Sequence, residues 1–132
     1  MESIPGKRRE DLRILIVEDD PDTGDALCLY LKHLGAVPLQ AQDGRQALDM
    51  LSSMQPDLVL CDLYTPGMDG IEFVEHVRGN PRLAHLVVIA VTGKGSSGDH
   101  ERAQAHGFDA CLLKPVDWDQ IVDAYHSVRA SR

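Results

Sequence analysis

Short apolar runs separated by amphipathic stretches constrain this chain more than any other feature. Ile14-Leu15-Ile16-Val17, Leu58-Val59-Leu60-Cys61 and Leu86 to Val91 are continuous, mainly β-branched or Leu, and short. Runs of this kind suit strands covered on both faces, as in a parallel sheet. The stretches between them repeat apolar residues at helical spacing. Leu27, Leu31 and Leu34 follow Pro21 and Asp22, which suit a first helical turn, and Gly35 suits the stop. Ala47, Leu48, Leu51 and Met54 form a second stripe, opened by the Asp43-Gly44 turn and closed by Pro56. Ile71, Val74 and Val77 form a third.

The remaining segments complete the pattern. Ala36 to Gln40 reads as a weaker strand and Ala110 to Leu113 as a fifth. Tyr64 to Gly70 and the Gly/Ser-rich stretch Gly93 to Gly98 read as loops. The fourth helix is poor, with Ala103 and Ala105 nearly its only apolar residues. Asp117, with Gln120 three residues on, caps a last helix whose inner face is Trp118, Ile121, Val122, Tyr125 and Val128. Five strand-helix units predict one α/β domain over residues 12–130 after a short flexible arm, residues 1–11. The expected architecture is a flavodoxin-like (βα)5 three-layer sandwich with a parallel five-stranded sheet of order 2-1-3-4-5.

Composition narrows the function. The net charge of -8, from 21 acidic and 13 basic residues, disfavours direct nucleic-acid binding. No apolar run approaches the ~20 residues of a membrane span, and no apolar segment follows the basic Lys7-Arg8-Arg9 cluster, so no membrane insertion or secretory signal is expected. Cys28, Cys61 and Cys111 show no paired spacing, which fits a reducing cytoplasm and buried small apolar side chains. The six histidines lack metal-ligand spacing and read as surface or partner-facing residues.

Doubly wound sheets bind ligands at the carboxyl ends of their strands. Glu18, Asp19 and Asp20 follow strand 1, Asp62 follows strand 3, Thr92 follows strand 4, and Lys114 follows strand 5. Taken singly, these are an acidic turn, a loop cap, an ordinary strand end and a surface lysine. Taken together, they converge on one crevice. Carboxylates gathered there must protonate, pair with a cation or bind a metal, and oxygen ligands of this kind suit Mg²⁺, or Mn²⁺ in its place. Asp62 could then attack a phosphoryl group to give an acyl phosphate. Asp19 and Asp62, with Glu18 through water, would hold the ion, while Lys114 and Thr92 meet phosphoryl oxygens and Gly93 leaves the backbone open.

These residues closely resemble the receiver domain of two-component response regulators. The matching stretches are Ile14 to Asp20, Asp57 to Leu63 with Pro66-Gly67-Met68-Asp69-Gly70, Val91-Thr92-Gly93, and Leu112 to Pro115. The resemblance implies that Asp62 accepts a phosphoryl group from a histidine kinase or histidine phosphotransfer protein. It implies that Asp19 binds Mg²⁺ directly beside Glu18, with the Tyr64 backbone carbonyl completing the site. Thr92 would be the switch hydroxyl, and the Lys114–Pro115 bond would be cis. The protein would be a cytoplasmic signalling switch rather than an enzyme in the metabolic sense, with a downstream protein target or output domain. One departure stands out: Cys111 occupies the position where the family has Tyr or Phe, so the Gly93–Gly98 loop and fourth helix are expected to carry the signal.

Other classes fit less well. A haloacid-dehalogenase-like phosphatase would have a second Asp where Tyr64 stands. A flavodoxin-type flavin site would meet its phosphate with the repelling Glu18-Asp19-Asp20. A degenerate receiver, acting as a phosphorylation-independent docking module, is the alternative that Cys111 keeps open.

Overall fold

The computed structural model describes residues 12–65, 67–93 and 98–131. The expected arm, residues 1–11, lies outside them, as do Pro66 and residues 94–97 of the expected Gly93–Gly98 loop. The elements are β1 (Arg13–Val17), α1 (Pro21–His33), β2 (Val37–Ala41), α2 (Gly44–Leu51) and β3 (Leu58–Asp62). They continue with α3 (Gly70–Gly79), β4 (Val87–Thr92), α4 (Asp99–His106), β5 (Ala110–Leu113) and α5 (Trp118–Ala130). All strand pairs are parallel, in the order β2-β1-β3-β4-β5. This is the flavodoxin-like order read from the sequence.

The period of two along each strand divides the core. Ile14, Ile16, Leu58, Leu60, Val87, Ile89 and Val91 face α1 and α5, where Leu31, Trp118, Ile121, Val122 and Val128 are buried. Leu15, Val17, Val59, Cys61, Val88 and Ala90 face the other side, against Ala47, Leu51, Phe73, Val74 and Val77. Apolar side chains on both faces account for the continuous runs in the sequence. Tyr125 is half-buried at the edge of the first layer.

Several boundaries differ from the sequence reading, each for a local reason. The Ala36 amide closes α1 by donating to the Leu31 carbonyl, with Gly35 at a left-handed φ of +93°, so β2 begins at Val37 and runs to Ala41 rather than Gln40. The Leu86 amide is taken by the Leu83 carbonyl in a turn, so β4 begins at Val87. Ser52 and Ser53 turn their hydroxyls back onto the Asp49 and Met50 carbonyls, which ends α2 at Leu51. Met54 therefore lies past the helix, although it still packs against the core.

Burial of the cysteines also differs from expectation. Cys61 is fully buried, but Cys28 and Cys111 are half-buried. The Cys28 thiol meets Gln40 Oε1 at 3.4 Å, and Cys111 lies beneath a polar helix that covers it incompletely. All six histidines are exposed, as a surface role requires.

One polar anchor fixes the far end of the sheet. The Arg78 guanidinium, from the last turn of α3, donates to the Gly107, Ala84 and Leu86 carbonyls at 2.8, 2.9 and 2.7 Å and pairs with Asp109 at 2.7 Å. Asp109 also accepts the Val88 amide at 2.8 Å. Removing the guanidinium leaves these acceptors without it inside a largely desolvated pocket. Arg78→Ala should therefore lose about 2–3 kcal/mol in urea unfolding. Exposed Arg82→Ala should stay within about 0.5 kcal/mol of wild type.

Candidate functional site

The carboxyl ends of β1, β3 and β5 bring four charged side chains together. Glu18 directly follows β1, and its amide donates to the Ala41 carbonyl of β2 at 3.0 Å. Its side chain is therefore directed inward and is 4% exposed. Asp62 is the last residue of β3. Lys114 follows β5, where its amide donates to the Thr92 carbonyl at 2.8 Å. From that anchor its ammonium reaches Asp62 Oδ2 at 3.2 Å and forms a close ion pair with Glu18. The Lys114–Pro115 peptide is cis, the form that the resemblance implies.

Carboxylate oxygens of Glu18, Asp19 and Asp62 lie within 4.8 Å of one another. Glu18 Oε2 is buried and, among the described residues, has no hydrogen-bond partner. A desolvated carboxylate oxygen without a donor is costly. Burial, followed by the hydrogen bond with Asp62, pushes the Glu18 pKa up to about 7, against the opposing pull of Lys114. Burial works against the Lys114 ammonium as well, but the Glu18 and Asp62 carboxylates outweigh it and hold its pKa above the usual value. The pocket carries more negative than positive charge, and the orphaned oxygen is where a cation fits.

The other expected residues are placed differently. Asp20 turns away from the crevice: it is the N-cap of α1 and accepts the Thr23 hydroxyl, which lowers its pKa. Thr92 is buried at the end of β4, one residue beyond the Val91 that pairs with Asp62. Gly93 is exposed, and a Cβ added there would meet only Lys114 Cδ at 3.9 Å, so packing does not require a glycine. Cys111 pairs with Ala90 and faces the α2–α3 layer rather than the carboxylates. Burial, and then the Asp99 carboxylate, raises its thiol pKa.

Three features of the site escaped the sequence reading. The Tyr64 amide donates to Asp62 Oδ1 at 3.0 Å, so the loop after β3 orients the carboxylate by its backbone. The Tyr64 phenol donates to Asp99 Oδ1 in α4 at 2.6 Å. Gly70 is pressed against the same strand end: a Cβ there would stand 2.5 Å from the Asp62 carbonyl oxygen and 3.0 Å from Leu63 Cα. The sequence reading placed Asp69-Gly70 at the end of a loop; in the structure the Asp69 carboxylate caps α3 by accepting the Glu72 amide. Nothing in the local sequence indicated the close approach.

Beside the charged cluster, a cavity of about 690 Å³ opens between α1 and the segment that follows β5, lined by Leu27, Tyr30, Val91 and Val116 as well as Glu18 and Lys114. The acidic crevice thus borders an apolar recess and is not freely hydrated on every side.

Comparison with known proteins agrees with this geometry. Residues 14–126 match the model of the response regulator receiver domain family. A 14.6 kDa protein encoded in the sodA1 3′ region of Leptolyngbya boryana is 39% identical over 104 residues, 79% of each chain. The phosphate regulon transcriptional regulatory protein PhoB of Escherichia coli is 32% identical over 110 residues, 83% of this chain and 48% of PhoB. The chain thus spans about half the length of that relative, and the match covers 30% of the Escherichia coli Regulator of RpoS. Among solved structures, the signal receiver domain of a signal transduction histidine kinase from Syntrophus aciditrophicus superposes with a TM-score of 0.79 at 29% identity, covering 92% of each chain. The signal receiver domain of a DNA-binding response regulator from Colwellia psychrerythraea gives 0.77 at 31% identity, over 91% and 99% of the two chains.

Two outcomes follow from the packing and charge. Gly70→Ala should destabilise the domain by more than ~1 kcal/mol, because its Cβ would meet backbone rather than a flexible side chain. Gly79→Ala, where nothing lies within 4 Å, should be neutral or slightly stabilising in the same thermal unfolding assay. Glu18 binds its proton more tightly in the folded chain than its ordinary value of 4.5 allows. Without divalent ions, its contribution to stability is therefore present below pH ~4.5 and is lost as pH rises toward ~7. Denaturant titrations of Glu18→Gln against wild type should show that slope flattened between those limits.

Proposed function

The chain belongs to the response-regulator receiver family, and from that premise we propose that it accepts a phosphoryl group on Asp62 from a phosphohistidine donor and switches partner binding as a result. The observation that carries this reading is the double anchoring of Asp62. Its two oxygens meet the Lys114 ammonium at 3.2 Å and the Tyr64 amide at 3.0 Å, and Glu18 and Asp19 lie within metal-ligand reach. Receivers act as signalling switches rather than turnover enzymes, and the rest of the site follows that chemistry.

Asp62 is the nucleophile. A carboxylate oxygen forms the bond to phosphorus while the phosphorus–nitrogen bond of the donor breaks and its electron pair stays with the imidazole. Held on the Thr92 carbonyl, Lys114 is placed to leave Asp62 for a phosphoryl oxygen as negative charge moves outward. The Thr92 hydroxyl donates to a second oxygen. Glu18, Asp19, Asp62 and the Tyr64 backbone carbonyl would hold Mg²⁺, or Mn²⁺ in its place, with Glu18 acting through water. That ion, when bound, would neutralise phosphoryl charge, and water held with it would supply the partner that Glu18 Oε2 lacks among the described residues.

The donor is a histidine kinase or histidine phosphotransfer protein, and the receiver works in the cytoplasm without entering a membrane. Among the described residues, no helix is long and apolar enough to cross one. The target is a downstream protein or an output domain, and this chain does not itself bind nucleic acid. Cys111, in place of an aromatic, favours one other reading, a receiver that docks partners without being phosphorylated. Intact-mass measurement separates the two. With Mg²⁺ and a small acyl-phosphate donor, the wild type should gain one phosphoryl group, Asp62→Asn should gain none, and chelation of the ion should abolish the gain. A wild type that stays unmodified where another receiver reacts would leave the docking reading standing.

A further inference from the structure

We propose that the Tyr64–Asp99 hydrogen bond couples the state of Asp62 to the position of α4, in place of the aromatic residue that β5 lacks. This rests on the phosphoacceptor reading of Asp62.

Tyr64 is attached at both ends. Its backbone amide donates to Asp62 Oδ1 at 3.0 Å, and its phenol donates to Asp99 Oδ1 at 2.6 Å, 35 residues away in sequence. The ring is 50% exposed, yet the carboxylate it reaches is 7% exposed. A half-exposed side chain is thus fastened to a buried acceptor. No other aromatic side chain is placed to make this link. Phe73 and Phe108 are buried in the core and carry no polar atom. Trp118, Tyr30 and Tyr125 belong to the opposite layer, where the Tyr30 hydroxyl accepts the Trp118 amide.

The element at the other end is poorly held. Helix α4 has eight residues, and of its apolar side chains Ala103 is buried whereas Ala105 is exposed. A helix of that length has little stability of its own and depends on its contacts. Asp99 lies in its first turn, so a bond made there holds the start of the helix.

Phosphorylation alters the first attachment directly. One Asp62 oxygen becomes the bridge to phosphorus and the other loses its full carboxylate charge, which weakens it as an acceptor for the Tyr64 amide. The phosphoryl oxygens offer stronger acceptors nearby. Residue 64 must readjust, and its phenol either carries Asp99 along or releases it. Both outcomes shift α4 between two arrangements biased by the same residue, which a coupled switch requires.

The test uses the full chain with Mg²⁺ and beryllofluoride as the phosphoryl mimic, read by hydrogen exchange of the 99–106 segment. In the wild type, saturating beryllofluoride should change that exchange several-fold. In Asp99→Ala and in Tyr64→Phe, exchange with and without the mimic should coincide, and the double variant should lose no more than either single one. Tyr64→Phe keeps the ring and the backbone, so it carries the test if Asp99→Ala fails to fold. Variants that respond like the wild type would overturn the coupling, as would a wild type that gains a phosphoryl group by intact mass but shows no change in the segment. A wild type that gains none would instead remove the phosphoacceptor reading, and this inference with it.

Discussion

The Lys114 ammonium, held between Glu18 and Asp62, is the interaction on which the carboxyl edge of this sheet depends. It joins the ends of β1, β3 and β5, and among the described residues it is the cation set among three carboxylates whose oxygens approach within 4.8 Å. One ammonium cannot neutralise three acids. Burial first, and then the neighbouring Asp62, keeps Glu18 partly protonated to a pH of about 7. The proposed divalent cation and then a phosphoryl group would each answer the charge that the previous state lacks. Stability is given up to keep such a cluster in a partly desolvated crevice, and the apolar recess beside it increases the electrostatic strength of each contact.

The rest of the molecule keeps that edge in place. Two apolar layers sandwich the sheet, and the strand ends inherit their positions from the register of buried residues beneath them. Asp62 is fixed in register by its pairing with Val91, Lys114 by its amide on Thr92, and Glu18 by its amide on Ala41. At the opposite end, Arg78 and Asp109 close the sheet through backbone carbonyls, far from the crevice. The polar groups at the two ends therefore have different tasks. At one end every acceptor of the network has a donor, whereas at the other Glu18 Oε2 has none among the described residues.

Most of the fold could be read from the sequence because its determinants are local and repetitive. Continuous runs such as Ile14–Val17, the caps at Asp43, Asp69 and Asp117, and the stripe Ile71, Val74, Val77 each fix an element without reference to the rest of the chain. The members of the charged cluster were also legible, because topology alone sends strand ends to one edge. Conversely, Asp20 looks like its neighbours in sequence but stands at the N-cap position of α1 and accepts the Thr23 hydroxyl, since the direction of an exposed side chain depends on the first hydroxyl it meets. Cys111 reads as a core residue, but its burial depends on how well α4 covers it, a property of a different element.

The same limit explains why the contacts around Tyr64 were invisible. An exposed tyrosine in a loop and an aspartate 35 residues later carry no shared periodicity, so only the folded chain brings them to 2.6 Å. Gly70 is a parallel case: its missing side chain is required by the Asp62 carbonyl, which the helix start approaches from outside the strand. In both, the loop after β3 is constrained by groups that it meets in space. Helix α4 has the least apolar support, yet a buried carboxylate in its first turn receives a bond from the residue whose amide also holds Asp62. A weakly packed element responds to a single directional contact where a well-packed one would not. The polar character of α4, which looks like a defect when judged as core, is what leaves it free to be positioned from the site.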